Sequence, residues 1–197
     1  MFGRKLPVNT SFAGIPLAPL ATGIRFVAAI ALLAGSALAA DPPCKFLADV
    51  TAKNFTIPTH IYSTETAIYT GGKPRNSETI YLNGKTYIQV NGRWRVSPMT
   101  PKMMLEAKKE AEADADSHSH STCLLVRDEA VNGEAATLYS EHTETQNEKS
   151  DSQIWISKSR ALPLKLEMNI DVGGAAGKRH RVSRFEYTNV QAPPGVR

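Results

Sequence analysis

Histidines, serines and a cluster of basic residues are the side chains of this sequence that could do chemistry. His118 and His120 alternate with serines shortly after Asp116, and these three side chains could bind a divalent metal ion. Two histidines that lie two residues apart in a loop lack the third and fourth ligands that a zinc site requires. We therefore interpret the segment as a solvated loop and predict neither a metal site nor a cofactor. The other histidines each stand alone on predicted strands: His60, His142 and His180.

The known local motifs of catalysis are missing from this sequence. It contains no glycine-rich phosphate loop, no G-x-S-x-G elbow, no H-E-x-x-H and no EF-hand pattern. Its serines have no neighbouring residues that suggest a nucleophile. We predict that the protein is not an enzyme. Because catalytic groups can assemble from distant positions, a hydrolase without a local motif is an alternative.

The N-terminus has the pattern of a secretory signal peptide. Arg25 precedes an apolar run from Phe26 to Leu33, and Ala37-Leu38-Ala39 offers an A-x-A processing site. The run is shorter than the roughly 20 residues that cross a bilayer, so we predict cleavage near Ala39 rather than a retained anchor. Residues 1–24 are an extended leader or the product of an early start codon. We expect a leader over 1–40 and a single periplasmic domain over 41–197, exported by the Sec pathway and not integral to the membrane.

The positive charge of the whole chain belongs largely to the leader. The chain has 23 Lys+Arg and 19 Asp+Glu, and three of the bases lie in the leader, which leaves 20 bases against 19 acids. The segment KRHRVSRFEY, residues 178–187, could suggest a nucleic-acid groove because it mixes bases with aromatics. Strand alternation would spread its charges over both faces of a sheet. We therefore predict no nucleic-acid partner.

The two cysteines, Cys44 and Cys123, are predicted to form a disulfide. They lie far apart and form no C-x-x-C motif, which makes a metal-binding or catalytic role the weaker interpretation. An even pair in an exported chain is typically bridged. A bridge closing so long a loop stabilises the fold by roughly 4 kcal/mol in the chain-entropy model.

The pattern of the mature chain predicts a mainly β fold of the α+β class, with about eight strands and two helices. A short helix opens near Cys44, and Thr100 and Pro101 begin a second helix over 101–113 that frays from Asp114. Three Asn-Gly pairs predict hairpins at 83–84, 91–92 and 132–133. Pairing across the first of these turns places Ile80 opposite Tyr87 and Tyr81 opposite Thr86.

Residues 164–170 alternate strictly between apolar and polar side chains. The alternation predicts a half-buried strand with four apolar residues on one face, joined by Ile154, Ile156 and Leu138 from neighbouring strands. One interpretation is a core packed beneath the helix at 101–113. The other is a concave apolar trough that binds a hydrophobic ligand, since two short helices cannot cover so many strands. The predicted lining residues are Leu164, Leu166, Met168, Ile170, Ile154 and Ile156.

The order of these parts resembles the LolA-like superfamily of periplasmic lipoprotein carriers and related exported proteins. The resemblance lies in the GRWRVSP exit at 92–98, in Trp155-Ile156 followed by Leu162-Pro163-Leu164-Lys165, and in FEYTNV at 185–190. Ala161 stands where glycine is usual in the turn. The resemblance implies a strongly curved, incomplete antiparallel β-barrel with helices in its mouth, whose inner face holds acyl chains in the carriers.

Fold alone does not transfer the carrier role, so two functions follow as expectations. The first is a non-catalytic periplasmic protein that binds a lipid or another hydrophobic molecule in the trough. The second is a structural or interaction module with a dry core, which docks a partner protein through its surface or a sheet edge.

Overall fold

The computed structural model describes residues 42–68, 72–90, 92–115, 119–174 and 177–196. The predicted leader, together with Asp116 and His118 of the candidate metal group, lies outside these residues, and His120 is exposed. Within the described ranges, no helix combines the length and the hydropathy that a membrane span requires. The elements are α1 (Pro42–Asn54), β1 (Thr59–Ala67), β2 (Arg75–Leu82), β3 (Lys85–Val90), β4 (Arg93–Val96), α2 (Pro101–Ala115), β5 (Ser119–Val131), β6 (Glu134–Thr145), β7 (Lys149–Ser157), β8 (Pro163–Asp171) and β9 (Lys178–Glu186).

All nine described strands form one antiparallel sheet in the order β4-β3-β2-β1-β9-β8-β7-β6-β5. The edge strands β4 and β5 do not pair with each other, so the sheet is open rather than closed into a barrel. The predicted fold class is confirmed: a mainly β domain with an unclosed antiparallel sheet and two helices. The chain leaves one edge at β4 and, through α2, enters the other edge at β5.

The hairpin turns have the geometry that their sequence predicts. Asn83 and Gly84 both have positive φ, at 51° and 73°, which a two-residue type I′ turn requires. The predicted register is confirmed, since Ile80 pairs with Tyr87 and Tyr81 with Thr86. Thr100 caps α2 as predicted, because its hydroxyl accepts the Met103 amide hydrogen at 3.2 Å, and the helix continues to Ala115, past the expected fraying point.

The helix α1 lies on one face of the sheet, which we call the helix face. The predicted disulfide between Cys44 and Cys123 is present, with a Cα–Cα distance of 5.1 Å, and it fixes the first turn of α1 to β5. Leu47 and Val50 then pack on Cys123 and Ile156. The core interpretation placed the apolar residues of these strands beneath the helix at 101–113. For Ile156 this was wrong, since Leu47 and Val50 of α1 pack on it.

A second core cluster lies on the opposite face, which we call the outer face. It contains Ala136, Leu138, Trp155 and Leu164, of which Leu138 is only 1% exposed. The sequence placed Leu138 on the same face as Ile154, and this was wrong, because Leu138 pairs with Trp155, which points to the outer face. The indole N–H of Trp155 donates to the Glu129 carboxylate. The sheet is thus packed on both faces near β6 and β7.

Candidate functional site

The strand β8, which was predicted to line the trough, contains a β-bulge that turns one residue away from the helix face. Trp155 pairs with Lys165 whereas Ile156 pairs with Pro163, so Leu164 is an extra residue on β8. A bulge breaks the alternation of faces. Leu164 is 6% exposed and packs with Trp155 in the outer-face cluster. Strict alternation placed Leu164 with the other three residues, and the structure separates it from them.

Leu166, Met168 and Ile170 remain together on the helix face, and we call them the apolar row. Each is half-buried. Directly paired residues of antiparallel strands lie side by side on one face. Leu166 pairs with Ile154 of β7, whose side chain packs against the cluster under α1. The row therefore continues the core of α1 outward along β8.

The two isoleucines of the predicted trough differ in exposure. Ile156 is 3% exposed and belongs to the core under α1. Ile154 is half-buried and contacts the same core from its margin. Of the six predicted lining residues, only the three of the apolar row and Ile154 thus retain surface that a ligand could cover.

The C-terminal end of α1 is held to the sheet by hydrogen bonds. The Tyr187 hydroxyl lies 2.6 Å from the Pro163 carbonyl oxygen and 3.1 Å from Asn54 Oδ1, and it donates toward both. Burial raises the pKa of the Tyr187 phenol, which therefore remains a neutral donor. Lys53 donates to the Arg160 carbonyl at 2.8 Å. With the disulfide at its other end, α1 is fixed at both ends.

Glu141 places a carboxylate on the helix face, two strands from the apolar row on the β7 side. Glu141 pairs with Cys123 on one side and with Ser152 on the other, and Ser152 pairs in turn with Met168. Burial raises the pKa of the Glu141 carboxyl, and the positive charge of Lys108 partly opposes this. Because Lys108 belongs to α2, that helix also lies near the helix face.

Two clefts in the described part of the chain have polar walls. The larger, about 370 Å³, contains a His142–Asp151 pair at 2.7 Å and an Asn169–His180 hydrogen bond at 2.9 Å. The other, about 360 Å³, is lined by residues that include Tyr62 and Arg184. No residue of the apolar row lines either cleft. Among the described residues, no three acids, histidines or cysteines are grouped as metal ligands would be.

The edge strand β5 carries the two most exposed large apolar residues of the described chain, Leu124 and Leu125, and Val126 follows them in the strand. Leu124, Leu125 and Val126 are 59%, 60% and 45% exposed. They adjoin a second bulge, since Leu125 pairs with Tyr139 and the next paired residue is Arg127. This surface was not predicted from the sequence. Its signal was a run of three apolar residues in a strand, which alternation alone cannot bury on one face.

No protein-family model matches the chain, and no curated protein matches its sequence. Structure comparison finds LprF from Mycobacterium bovis, at 10% identity and a TM-score of 0.39 over 78% of this chain and 97% of that one. A chain of the Pseudomonas aeruginosa MucA/MucB complex matches at 12% identity and 0.40 over 77% of this chain and 59% of that one, so this chain spans about three fifths of its length. The LolA superfamily protein NE2245 from Nitrosomonas europaea matches at 8% identity and 0.27, over 77% and 94%.

A LolA superfamily protein is thus among the structural matches. All three TM-scores are below 0.5, so these similarities do not indicate a ligand or a partner for this chain. We therefore argue the site from its own residues.

Proposed function

We propose that this protein is a non-catalytic, exported binding protein that holds a lipid or another hydrophobic molecule on the helix face. The observation that carries the proposal is the apolar row: Leu166, Met168 and Ile170 are half-buried in line and adjoin the core under α1. A helix fixed at both ends provides a rigid wall beside the row. The disulfide agrees with an oxidising compartment such as the periplasm.

The size of the row limits what it contributes to binding. Full burial of a leucine-sized side chain is worth roughly 1.5–3 kcal/mol, and these three residues are already half-buried. The row therefore adds about 2–4 kcal/mol, which alone corresponds to a dissociation constant in the millimolar range or weaker. A ligand retained through purification needs further contacts, from the helices or with a polar head.

Native mass spectrometry with solvent extraction tests the proposal, using protein purified from the periplasm of its own host. We expect a bound hydrophobic species in the wild type and its loss in Met168→Asp, which places a charge in the row. The matched control is Asn169→Asp, one residue away on the other face of β8 and exposed. Apo wild-type protein that also takes up no Nile red, or a folded Met168→Asp variant that keeps its lipid, contradicts the proposal.

A second candidate function is docking of a partner protein that adds an extended strand to β5. Exposed Leu124 and Leu125 on a 13-residue edge strand favour it, because an edge strand presents unpaired backbone groups. The other edge is protected in the way that edge strands usually are. β4 has four residues, and both Arg93 and Arg95 are exposed.

Site-specific photo-crosslinking distinguishes the two edges. A benzophenone side chain at Leu124 should give one discrete adduct in the periplasm, and the same group at Arg93 should give none. An adduct of twice the chain mass identifies a second copy as the added strand. Equal labelling from both edges, or none from either, contradicts docking at β5.

A further inference from the structure

The helix face carries a cluster of arginines beside the apolar row. Residues that pair directly across antiparallel strands share a face, and so do alternate residues of one strand. Met168 of the row pairs with Arg181, and Ile170 pairs with Arg179. Following the register from β9 through β1, β2 and β3 to β4 adds three more arginines to this face. The cluster, which we call the arginine patch, comprises Arg75, Arg93, Arg95, Arg179 and Arg181.

One acid faces the five arginines of the patch along the described parts of these strands. Glu65 accepts from Arg181 Nε at 3.1 Å and also pairs with the guanidinium of that residue, while Arg179 lies 3.7 Å away. Arg75 is directly opposite Glu65 in the register. Glu65 therefore orients Arg181 and leaves a formal excess of four positive charges on the helix face of β9, β1, β2, β3 and β4, while the carboxylate of Glu141 lies on the other side of the row.

The patch is accessible and largely uncompensated. Within the described part of the chain, Arg75, Arg93 and Arg95 have no carboxylate within ion-pairing distance, and all three are exposed. The side chains of Arg179 and Arg181 are 48% and 42% exposed. The excess charge is therefore free to meet an anionic group from solution.

The bases of the outer face are arranged differently. Arg184 lies 3.2 Å from Glu186, and Lys165 lies 2.6 Å from Glu167. The predicted mature chain is nearly neutral overall, so the charge excess on the helix face reflects placement rather than composition. A positive surface next to an apolar one is complementary to an amphiphile that has an anionic head and an apolar tail.

We infer that the ligand is an amphiphile with an anionic head, a carboxylate or a phosphate, whose tail lies along the apolar row. The head binds Arg179 of β9 and Arg75 of β2, which lie on either side of Glu65. These arginines are one strand and three strands from the row, and neighbouring strands are about 4.8 Å apart. The planar guanidinium donates two parallel hydrogen bonds to either head group. This inference rests on the proposed function and adds the contact that the row alone lacks.

Displacement of Nile red tests the head group, with dodecanoate, dodecyl phosphate and dodecanol as competitors of equal chain length. We expect the wild type to bind the better anion at least about tenfold more tightly than dodecanol, as charge-assisted hydrogen bonds imply. The double variant Arg75→Gln/Arg179→Gln should lose this preference and keep its affinity for dodecanol. The control Arg127→Gln, on the outer face opposite Leu138, should keep the preference.

Each outcome decides one of the two proposals. Equal binding of dodecanol and both anions by the wild type, or an unchanged preference in the double variant, overturns the anionic head and leaves hydrophobic binding standing. No displacement of the dye by any competitor, or no dye binding, overturns the proposed function itself. Preference for dodecanoate identifies a fatty acid as the source of the head, and preference for dodecyl phosphate identifies a phospholipid.

Discussion

Replacing both cysteines with alanine should cost this protein a large part of its stability. The bridge between Cys44 and Cys123 closes a loop with a sequence separation of 79. In the chain-entropy model, a loop of that length confines the unfolded chain by about 15 cal/mol/K, or about 4.5 kcal/mol at 25 °C. Domains of this size have unfolding free energies of about 5–15 kcal/mol, so at least about 30% of the stability depends on one covalent bond.

The structure also indicates how the loss would be distributed. The bridge fixes only the first turn of α1, and Asn54 still accepts from Tyr187 at the other end. Leu47 and Val50 each remain buried, at 4% exposure, as long as α1 stays on the sheet. We therefore expect the double variant to fold with α1 in place and to unfold in a single transition at lower denaturant.

Urea and thermal unfolding followed by circular dichroism measure the effect. The expected decrease in melting temperature is about 9–18 °C for a chain of this length. Wild-type protein under a reductant is the matched control, because its thiols keep the packing of the sulfur atoms and lose only the bond. A loss under about 1 kcal/mol in both samples would refute the loop-entropy argument. A loss confined to the alanine variant would mean that Cys123, which has no exposed surface, acts through packing instead.

Three further predictions follow from single residues. Ala161→Gly should stabilise the fold by up to about 1 kcal/mol in urea unfolding. Ala161 has φ 51°, and the free-energy cost of this conformation to alanine exceeds the cost of the extra chain entropy that glycine loses on folding. A lower stability of the variant would contradict this. Tyr187→Phe should cost about 1–2 kcal/mol by the same assay, since Asn54 and Pro163 lose their shared donor; no change would show that water replaces it. Glu141→Gln should raise stability at pH 7, because burial raises the folded pKa of Glu141 above 4.5 and the ionised form opposes folding. The gain should shrink as the pH falls through that pKa and vanish below 4.5, and a gain independent of pH would contradict the assignment.

The sequence predicted the local parts of this fold well, because each rests on interactions between neighbours in the chain. Asn-Gly at 83–84 dictates a turn and therefore the register of the strands on either side. Thr100 and Pro101 define the start of α2 in the same way. The disulfide could also be predicted, since a predicted export signal together with two cysteines leaves one pairing.

The composition of the site could not be predicted from alternation alone. The bulge places Leu164 in one buried cluster with Trp155, and the indole of Trp155 donates to Glu129 on another strand. Nothing within residues 164–170 records that contact. The arginine patch has the same origin: Arg75 and Arg181 are more than a hundred residues apart, and only the strand order brings them to either side of Glu65.

The two ends of the apolar row are unequal, and this gives the proposed ligand a direction. At one end, Leu166 adjoins Ile154 and the core that α1 covers, so a tail placed there leaves water. At the other end, Ile170 pairs with Arg179, whose side chain is about half exposed. A head group at Arg179 keeps access to solvent while its tail extends toward α1, and the reverse orientation would bury the charge beneath a helix without a partner. In this proposal, the fixed position of α1 orients the ligand and the exposed arginines retain its head.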